Sequence, residues 1–307
     1  MSEALSRSSR EPDRKTRGDP GLDRPKLWGI CLVKDEDDII AQTLTYATRY
    51  CDRIFVLDNG STDGTWHIVR RLAEQNEAIV PFAQTLEPYG DGLRAVVYNA
   101  MHGELSPNDW WLILDADEFL AEDPWPVIEA AVRENADIVK TWHIHFFFTD
   151  RDLEAWEQRS DRRDLPIFDR RRYYLINWQE PRLFRNNPQS FWNASVKEWV
   201  PDTLRKVCRR RIFVRHYQYR DPEQIEKRQR LRYALRLRDG HFPHVKSPDW
   251  RTMVVNSASL SYHNEGQPWR LTASGIVYYY RHAAIAKYRG ALRRLRRLLG
   301  RSGRVAA

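Results

Sequence analysis

Cysteine is scarce in this 307-residue chain: Cys31, Cys51 and Cys208 stand alone, with no C-x-x-C pair. That spacing offers neither a disulfide framework nor a structural zinc knot. No apolar run approaches the roughly 18 residues that a membrane-spanning helix needs. The N-terminus has no apolar signal segment, so a cytoplasmic location is expected. G-x-G-x-x-G does not follow the first apolar strand, and G-x-x-x-x-G-K-[ST] occurs nowhere, which disfavours a dinucleotide-binding fold and a P-loop ATPase. Zinc-finger, RRM and helix-turn-helix signatures are also missing, so no specific nucleic-acid partner is expected. From Leu271 to the end there is no Asp or Glu, while the same stretch carries nine Lys or Arg.

What is present fits a soluble protein with a real core: 42% hydrophobic and 30% charged residues, with a formal net charge of +8. Residues 1–25 are rich in Ser, Arg, Asp, Pro and Gly and read as a disordered leader. Strand and helix patterns then alternate. Leu27 to Val33 and Arg53 to Leu57 are short apolar strands, Glu77 to Pro81 is a third, and Trp110 to Leu114 is a fourth. Apolar spacing places helices over Asp38 to Arg49, from Trp66 to Leu72, and over Gly92 to Gly103. Four strands with three intervening helices argue an α/β layer over the first half of the chain. Open sheets of this kind bind ligands at the carboxyl ends of their strands.

The acidic residues gather at those ends. Asp58-Asn59-Gly60-Ser61-Thr62-Asp63-Gly64-Thr65 follows the second strand, and its Asn-Gly and Asp-Gly pairs demand turns, with Thr62 or Asp63 available to cap the next helix. Asp115-Ala116-Asp117-Glu118 follows the fourth. Carboxylates crowded at a strand end need a cation or a wet cleft to offset their repulsion. Asp115 and Asp117, two apart in an extended chain, share a face and could bind a hard divalent ion. Lys34-Asp35-Glu36-Asp37-Asp38 after the first strand either caps the next helix or points into the crevice above the sheet.

The two motifs, in this order and spacing over about Leu27 to Phe119, resemble family 2 of the inverting GT-A glycosyltransferases, in the branch whose acidic motif reads Asp-Ala-Asp-Glu. The resemblance implies a GT-A-like nucleotide-sugar-binding sheet flanked by helices, an elaborated C-terminal acceptor portion and a basic helical tail. It divides the chain into a leader (1–25), a catalytic domain (26–220, with a nucleotide-binding part 26–120 and an acceptor part 121–220) and a helical C-terminal region (221–307). It implies a nucleoside diphosphate sugar as donor, held at base and ribose by Val33, Glu36 and Asp58. Mg²⁺ or Mn²⁺ would bridge the diphosphate through Asp117, with Asp115 near the ribose or sugar. Many members have two Asp residues where this chain has Asp58-Asn59. Arg94, in Gly90-Asp91-Gly92-Leu93-Arg94, resembles the family's basic helix start; its alternative is an ordinary exposed helix arginine.

Downstream, Asp137 to Phe148 reads as a strand with His143 and His145 on one face, more in keeping with packing or pocket polarity than with metal ligation. Leu153 to Arg172, with Asp and Arg interleaved, reads as a solvated loop or lid. Trp178-Gln179-Glu180-Pro181-Arg182-Leu183-Phe184-Arg185 resembles the segment after the acceptor region in related transferases. Glu180 is the candidate base for the acceptor hydroxyl, with Asp169 and Glu198 as rivals. The Q-x-x-R-W signature of processive synthases is absent. His216, ending the strand Arg211 to Tyr217, matches a late His that several GT-A enzymes give to the metal or diphosphate, and His263 is a second candidate. Asp221-Pro222-Glu223 opens a helix.

In the tail, Tyr288, Leu292, Leu295 and Leu299 form a stripe edged by Arg289, Arg293, Arg294, Arg296, Arg297 and Arg301. That stripe suits an anionic membrane surface, giving a cytoplasmic protein a peripheral attachment, or docking on the domain. The expected function is a metal-dependent transfer of a sugar to a hydroxyl on a glycan, glycolipid or other acceptor. The rivals are a nucleotidyltransferase on a related scaffold and a non-catalytic basic protein that binds membrane or nucleic acid.

Overall fold

The computed structural model describes residues 25–193, 200–201, 203–240, 242–273, 275–277, 280–281 and 284. Strand and helix alternate through the first half: β1 (Leu27–Val33), α1 (Ile40–Ala47), β2 (Arg53–Asp58), α2 (Thr65–Gln75), β3 (Ile79–Gln84), α3 (Arg94–Met101) and β4 (Trp110–Asp115). These strands run parallel in the order β3-β2-β1-β4. All seven residues of β1 are buried, as expected of a parallel strand covered on both faces. Alternate residues feed two cores. Cys31, Val56, Leu112 and Leu114 pack with Leu44, Val69 and Ile128, while Trp28, Ile30, Phe55 and Trp111 pack with Ala95, Val97 and Tyr98. The third strand lies later than its sequence pattern suggests and runs on through Pro81, which the edge of the sheet tolerates.

The second half extends the same sheet. Beyond β4 come β5 (Glu118–Leu120), α4 (Trp125–Arg133), β6 (Ile138–Phe146), α5 (Asp150–Glu157), α6 (Ile167–Arg170), β7 (Tyr173–Arg185), β8 (Ile212–His216), α7 (Pro222–Asp239) and β9 (Ser261–Tyr262). The sheet order continues β4-β7-β6-β8-β5, and β9 pairs with β7. The antiparallel β4/β7 and β6/β7 pairs place Glu180 opposite Thr141 and Leu183 opposite Leu112. The segment Trp178 to Arg185 is therefore the end of a 13-residue strand.

One expectation is corrected here. Leu153 to Arg172 is not a solvated loop but contains most of α5 and all of α6. Thr149 and Asp152 form a capping box that starts α5. Asp152 and Asp161 then ion-pair with the buried guanidinium of Arg171 at 3.2 and 3.1 Å. Asp161 and Arg171 are thus paired inwardly, whereas Arg162 and Asp164 pair on the surface. Among the described residues no helix is long and apolar enough to cross a membrane. The basic stripe Tyr288 to Arg301 lies outside the described residues.

Trp111 is the keystone of the second core. It is fully buried, meets Trp28 and Tyr98 edge-on at 5.7 and 5.5 Å, and donates its indole N–H to Asn186 Oδ1 at 2.9 Å. Asn186 in turn donates to the carbonyls of His102, Leu105 and Ser106. Trp111→Ala is expected to cost about 3–5 kcal/mol, read from the denaturant midpoint at unchanged slope.

Candidate active site

Strand order reverses between β1 and β4, and the carboxyl ends of β2, β1 and β4 meet at that point. Val33 pairs with Asp58, and Leu32 with Asp115. Ligands of open α/β sheets bind in the crevice outside such a reversal. The sequence-predicted residues Val33, Asp58, Asp115 and Asp117 all come to this edge.

Asp58 ends β2 fully buried. Its Oδ1 accepts from the Ser61 backbone N–H at 2.9 Å and from Gln84 Nε2 at 3.4 Å, while Oδ2 has no partner among the described residues. Asn59 turns away, donating its side-chain amide to the Glu87 carbonyl at 2.8 Å and so pinning the loop after β3. Gly60 has φ +71°, a left-handed conformation that accounts for glycine in this turn. Asp63, with Oδ1 2.9 Å from the Thr65 backbone N–H, holds the start of α2, although the residue at the cap position itself is Gly64.

Asp115 is bound by two arginines. Arg94 Nη2 lies 2.5 Å from Oδ1 and Arg182 Nη2 lies 3.0 Å from Oδ2. Arg94 is therefore no exposed helix arginine: it opens α3 from a buried position and also pairs with Asp91 at 2.8 Å. Burial alone would lower its affinity for the proton; Asp115 foremost, with Tyr89 and Asp91, raises it. Arg182 also reaches Glu118 at 2.7 Å and Glu180 Oε2 at 2.9 Å. Glu180 Oε1 accepts from the Trp178 indole at 2.6 Å, and Oε2 lies 3.8 Å from His143 Nε2.

Asp117 is buried among three cations. Arg228 Nη1 is 3.0 Å from Oδ2, His216 Nε2 is 3.5 Å from Oδ1, and Arg220 Nη1 is 3.9 Å away. Burial by itself would raise the Asp117 carboxyl, but His216, Arg228 and Arg220 hold it well below the usual carboxylate range. Burial likewise opposes charge on His216, yet Asp117 lifts its proton affinity above that of a free imidazole. His145, deeply desolvated and 3.1 Å from His216 between Nδ1 atoms, is held well below the ordinary histidine value. Glu36 pairs with Arg220, and with Arg228 at 3.6 Å. Burial raises its carboxyl despite both arginines. The backbone carbonyl of Glu36, not a carboxylate, receives the first N–H groups of α1, so Glu36 points into the crevice and does not cap the helix.

Other candidates lie apart. Asp169 pairs with Arg172 at 3.2 Å, and His263 stacks on Trp269 at 4.1 Å with its imidazole pushed down to about 4 by burial and by Arg215 and Arg172. Glu198 lies outside the described residues. No group of three or more His, Cys, Asp or Glu side chains suited to a metal ion occurs among the described residues. Sequence reasoning missed Arg182, Arg220 and Arg228. Arg182 was accessible in principle, two residues from Glu180 on the same strand face. Arg228 had no local signal, because α7 is basic throughout.

Glu118 and Arg182 are both almost fully buried, and Glu118 also accepts from His143 at 3.1 Å. Burial would raise the Glu118 carboxyl, but Arg182 and His143 hold it well below its ordinary range. Glu118→Gln should cost roughly 3 kcal/mol, because Arg182 and His143 lose their fully buried carboxylate while Arg182 keeps Asp115 and Glu180. Because the folded value lies below the unfolded value of about 4.3, this stabilisation is complete above about pH 4.3 and is lost as pH falls through the folded value. Unfolding midpoints of wild type and variant, measured from about pH 8 to about pH 3, should keep a constant gap and then converge in acid.

An uncharacterized glycosyltransferase from Rickettsia prowazekii (strain Madrid E) is 30% identical over 104 residues, covering 34% of this chain and 32% of the relative. The match thus spans about a third of the curated relative's length. Among solved structures, a mannosyltransferase from Pyrobaculum calidifontis, in complex with GDP-Man and Mn²⁺, aligns over 75% of this chain and 69% of its own, with 18% identity and a TM-score of 0.39. Glucosyl-3-phosphoglycerate synthase from Mycobacterium tuberculosis, with Mn²⁺, UDP and glucosyl-3-phosphoglycerate, aligns over 42% of this chain and 50% of its own, with 16% identity and a TM-score of 0.28. The family model for Glycosyl transferase family 2 matches residues 32–231, well over half of the chain and the whole of the edge just described. With its GT-A-like α/β layer and added C-terminal elements, the chain belongs to glycosyl transferase family 2.

Proposed function

We propose that the protein is an inverting, metal-dependent glycosyltransferase that moves a sugar from a nucleoside diphosphate sugar to an acceptor hydroxyl. The observation that carries this reading is the edge itself: Asp58, Asp115, Asp117 and Glu180 come from three separate strands and a turn and are gathered at one strand reversal. Asp58 supports the nucleotide part, because a buried acceptor with no partner suits an N–H or O–H of a bound base or ribose.

The donor set also suits a divalent ion. Metals of this kind are held by one or two protein ligands together with substrate phosphates and water, so a three-ligand cage is not required. Asp117 Oδ1 and His216 Nε2, 3.5 Å apart, would hold it, and when bound it would neutralise charge on the departing diphosphate. Asp115 is kept in place by Arg94 and Arg182 to orient ribose or sugar. In the transfer, the acceptor oxygen forms the new bond to the anomeric carbon as the bond from that carbon to the diphosphate oxygen breaks. Glu180 accepts the acceptor's proton. Trp178 steadies its carboxylate from one side and Arg182 from the other. A glycan or glycolipid acceptor is the substrate class proposed, and the basic tail is proposed to sit on an anionic membrane surface.

Binding of UDP, GDP, CDP and ADP, with and without Mn²⁺ or Mg²⁺, tests the donor site. One base should bind in a metal-dependent way, and Asp117→Ala should weaken it at least about tenfold, the loss that removing even an outer partner of a metal ligand produces. A folded wild type that binds none of the four would overturn the reading. For the proposed base, Glu180→Gln should keep nucleotide binding while lowering turnover by roughly 10²–10⁴-fold.

A further inference from the structure

α7 lies across the mouth of the site. Lys227 reaches Asp63 at 3.3 Å and Asp35 at 3.6 Å, spanning the turns after β2 and β1. Its neighbour Arg228 reaches Asp117 and Glu36. The two arginines on Asp117 are held very differently. Arg220 is fully buried and anchored by Glu36, by both oxygens of Asp38 and by the Tyr217 carbonyl at 3.0 Å. Arg228 is 18% exposed, and besides Asp117 it has the Gln218 carbonyl at 3.2 Å and Glu36 at 3.6 Å. One of the two is built in, and the other can leave.

One helical turn further on, Arg232 makes no hydrogen bond and no ion pair among the described residues; its guanidinium carbon rests 5.0 Å from the Phe242 ring centroid. It is half-buried, and burial and the charge of Arg228 push its proton affinity down to about 10, which marks a cation without a matching anion. Residues four apart on a helix lie on one face.

We infer that Arg228 and Arg232 form a diphosphate clamp in which Arg228 holds the carboxylate of Asp117 in the empty protein and exchanges it for a phosphate oxygen when the metal-bound donor enters. The inference rests on the reading of Asp117 as a metal ligand. In the empty site the guanidinium of Arg228 holds Asp117 Oδ2, beside the Oδ1 assigned to a divalent ion, so the two positive charges compete for one carboxylate. An entering diphosphate relieves that competition, because it brings anionic oxygens that satisfy the displaced Arg228 and the unmatched Arg232. Metal and diphosphate are thereby coupled through one side chain, each favouring the other.

The signature is a pair of opposite changes, which loss of fold cannot produce. Binding of Mn²⁺ alone and of the selected nucleoside diphosphate with Mn²⁺ is measured by calorimetry on wild type, Arg228→Gln and Arg232→Gln, with thermal melts to confirm folding. Arg228→Gln should bind Mn²⁺ alone several-fold more tightly than wild type, and the diphosphate with Mn²⁺ roughly tenfold or more weakly. Arg232→Gln should leave Mn²⁺ alone unchanged and weaken the diphosphate by a similar factor. The corresponding nucleoside monophosphate should be much less affected by either change. Unchanged or weaker Mn²⁺ binding in a folded Arg228→Gln, or equal effects on mono- and diphosphate, overturns the clamp while the donor reading stands. A diphosphate affinity unaltered in Arg232→Gln removes Arg232 from it and overturns the two-arginine form. Wild type that binds neither Mn²⁺ nor any diphosphate overturns both readings together.

Discussion

Burying carboxylates next to one another at the end of a sheet is tolerable only if fixed cations are buried with them. Asp115, Asp117 and Glu118 follow one another within four positions of the chain, and Asp117 and Glu118 are almost wholly removed from water. Their counter-charges come from four distant places: Arg94 at the start of α3, Arg182 in β7, His216 at the end of β8, and Arg220 and Arg228 before and within α7. An unpaired member of such a set would carry its full desolvation cost, so the network can close only when all of these elements are docked. The second half of the chain is in this sense required by the acidic motif of the first.

The network has two parts of different character. On the side of Glu118 the central groups, Glu118, Arg182 and His143, are buried and bound: Arg182 spans Asp115, Glu118 and Glu180, and His143 closes the other side of Glu118. This part acts as a frame, holding Asp115 and Glu180 at a set separation through one guanidinium. On the side of Asp117 the contacts run out to 3.9 Å, and His216 and Arg228 are both partly exposed. A site that must admit a charged ligand needs such a part, because a fully satisfied carboxylate has nothing to offer an incoming ion. Rigidity on one side and replaceable pairing on the other meet at consecutive residues, since Asp117 and Glu118 face opposite partners at the start of β5.

The turn after β2 shows the same economy of geometry. Asp58 ends β2 with one oxygen that has no partner among the described residues, while Asn59 spends its amide on the loop after β3 and Lys34 donates to the carbonyls of Asn59 and Gly60 at 2.9 and 3.0 Å. The departure from a second Asp at position 59 thus has a structural use: an amide can donate to a carbonyl, and a carboxylate cannot.

The first four strands, the helices between them and the acidic strand ends were legible in the chain itself, because parallel strands buried on both faces read as continuous apolar runs and the motifs sit at their ends. The placement of Asp58, Asp115, Asp117 and His216 at one edge was legible for the same reason, each lying at or just past the end of an apolar strand. What the tertiary structure alone decided is which cation meets which carboxylate. Arg94 could be read as exposed until the fold buried it against Asp115, and Asp161 and Arg171 read as solvated until they were seen to pair in the interior, with Asp152 from the preceding turn. Arg228 is one of several arginines on a helix without an apolar stripe, and only docking over the strand ends sets it apart. Hydrophobic periodicity is a local property carried by neighbouring residues, whereas an ion pair between positions 117 and 228 exists only once the chain has folded, and no local pattern encodes it.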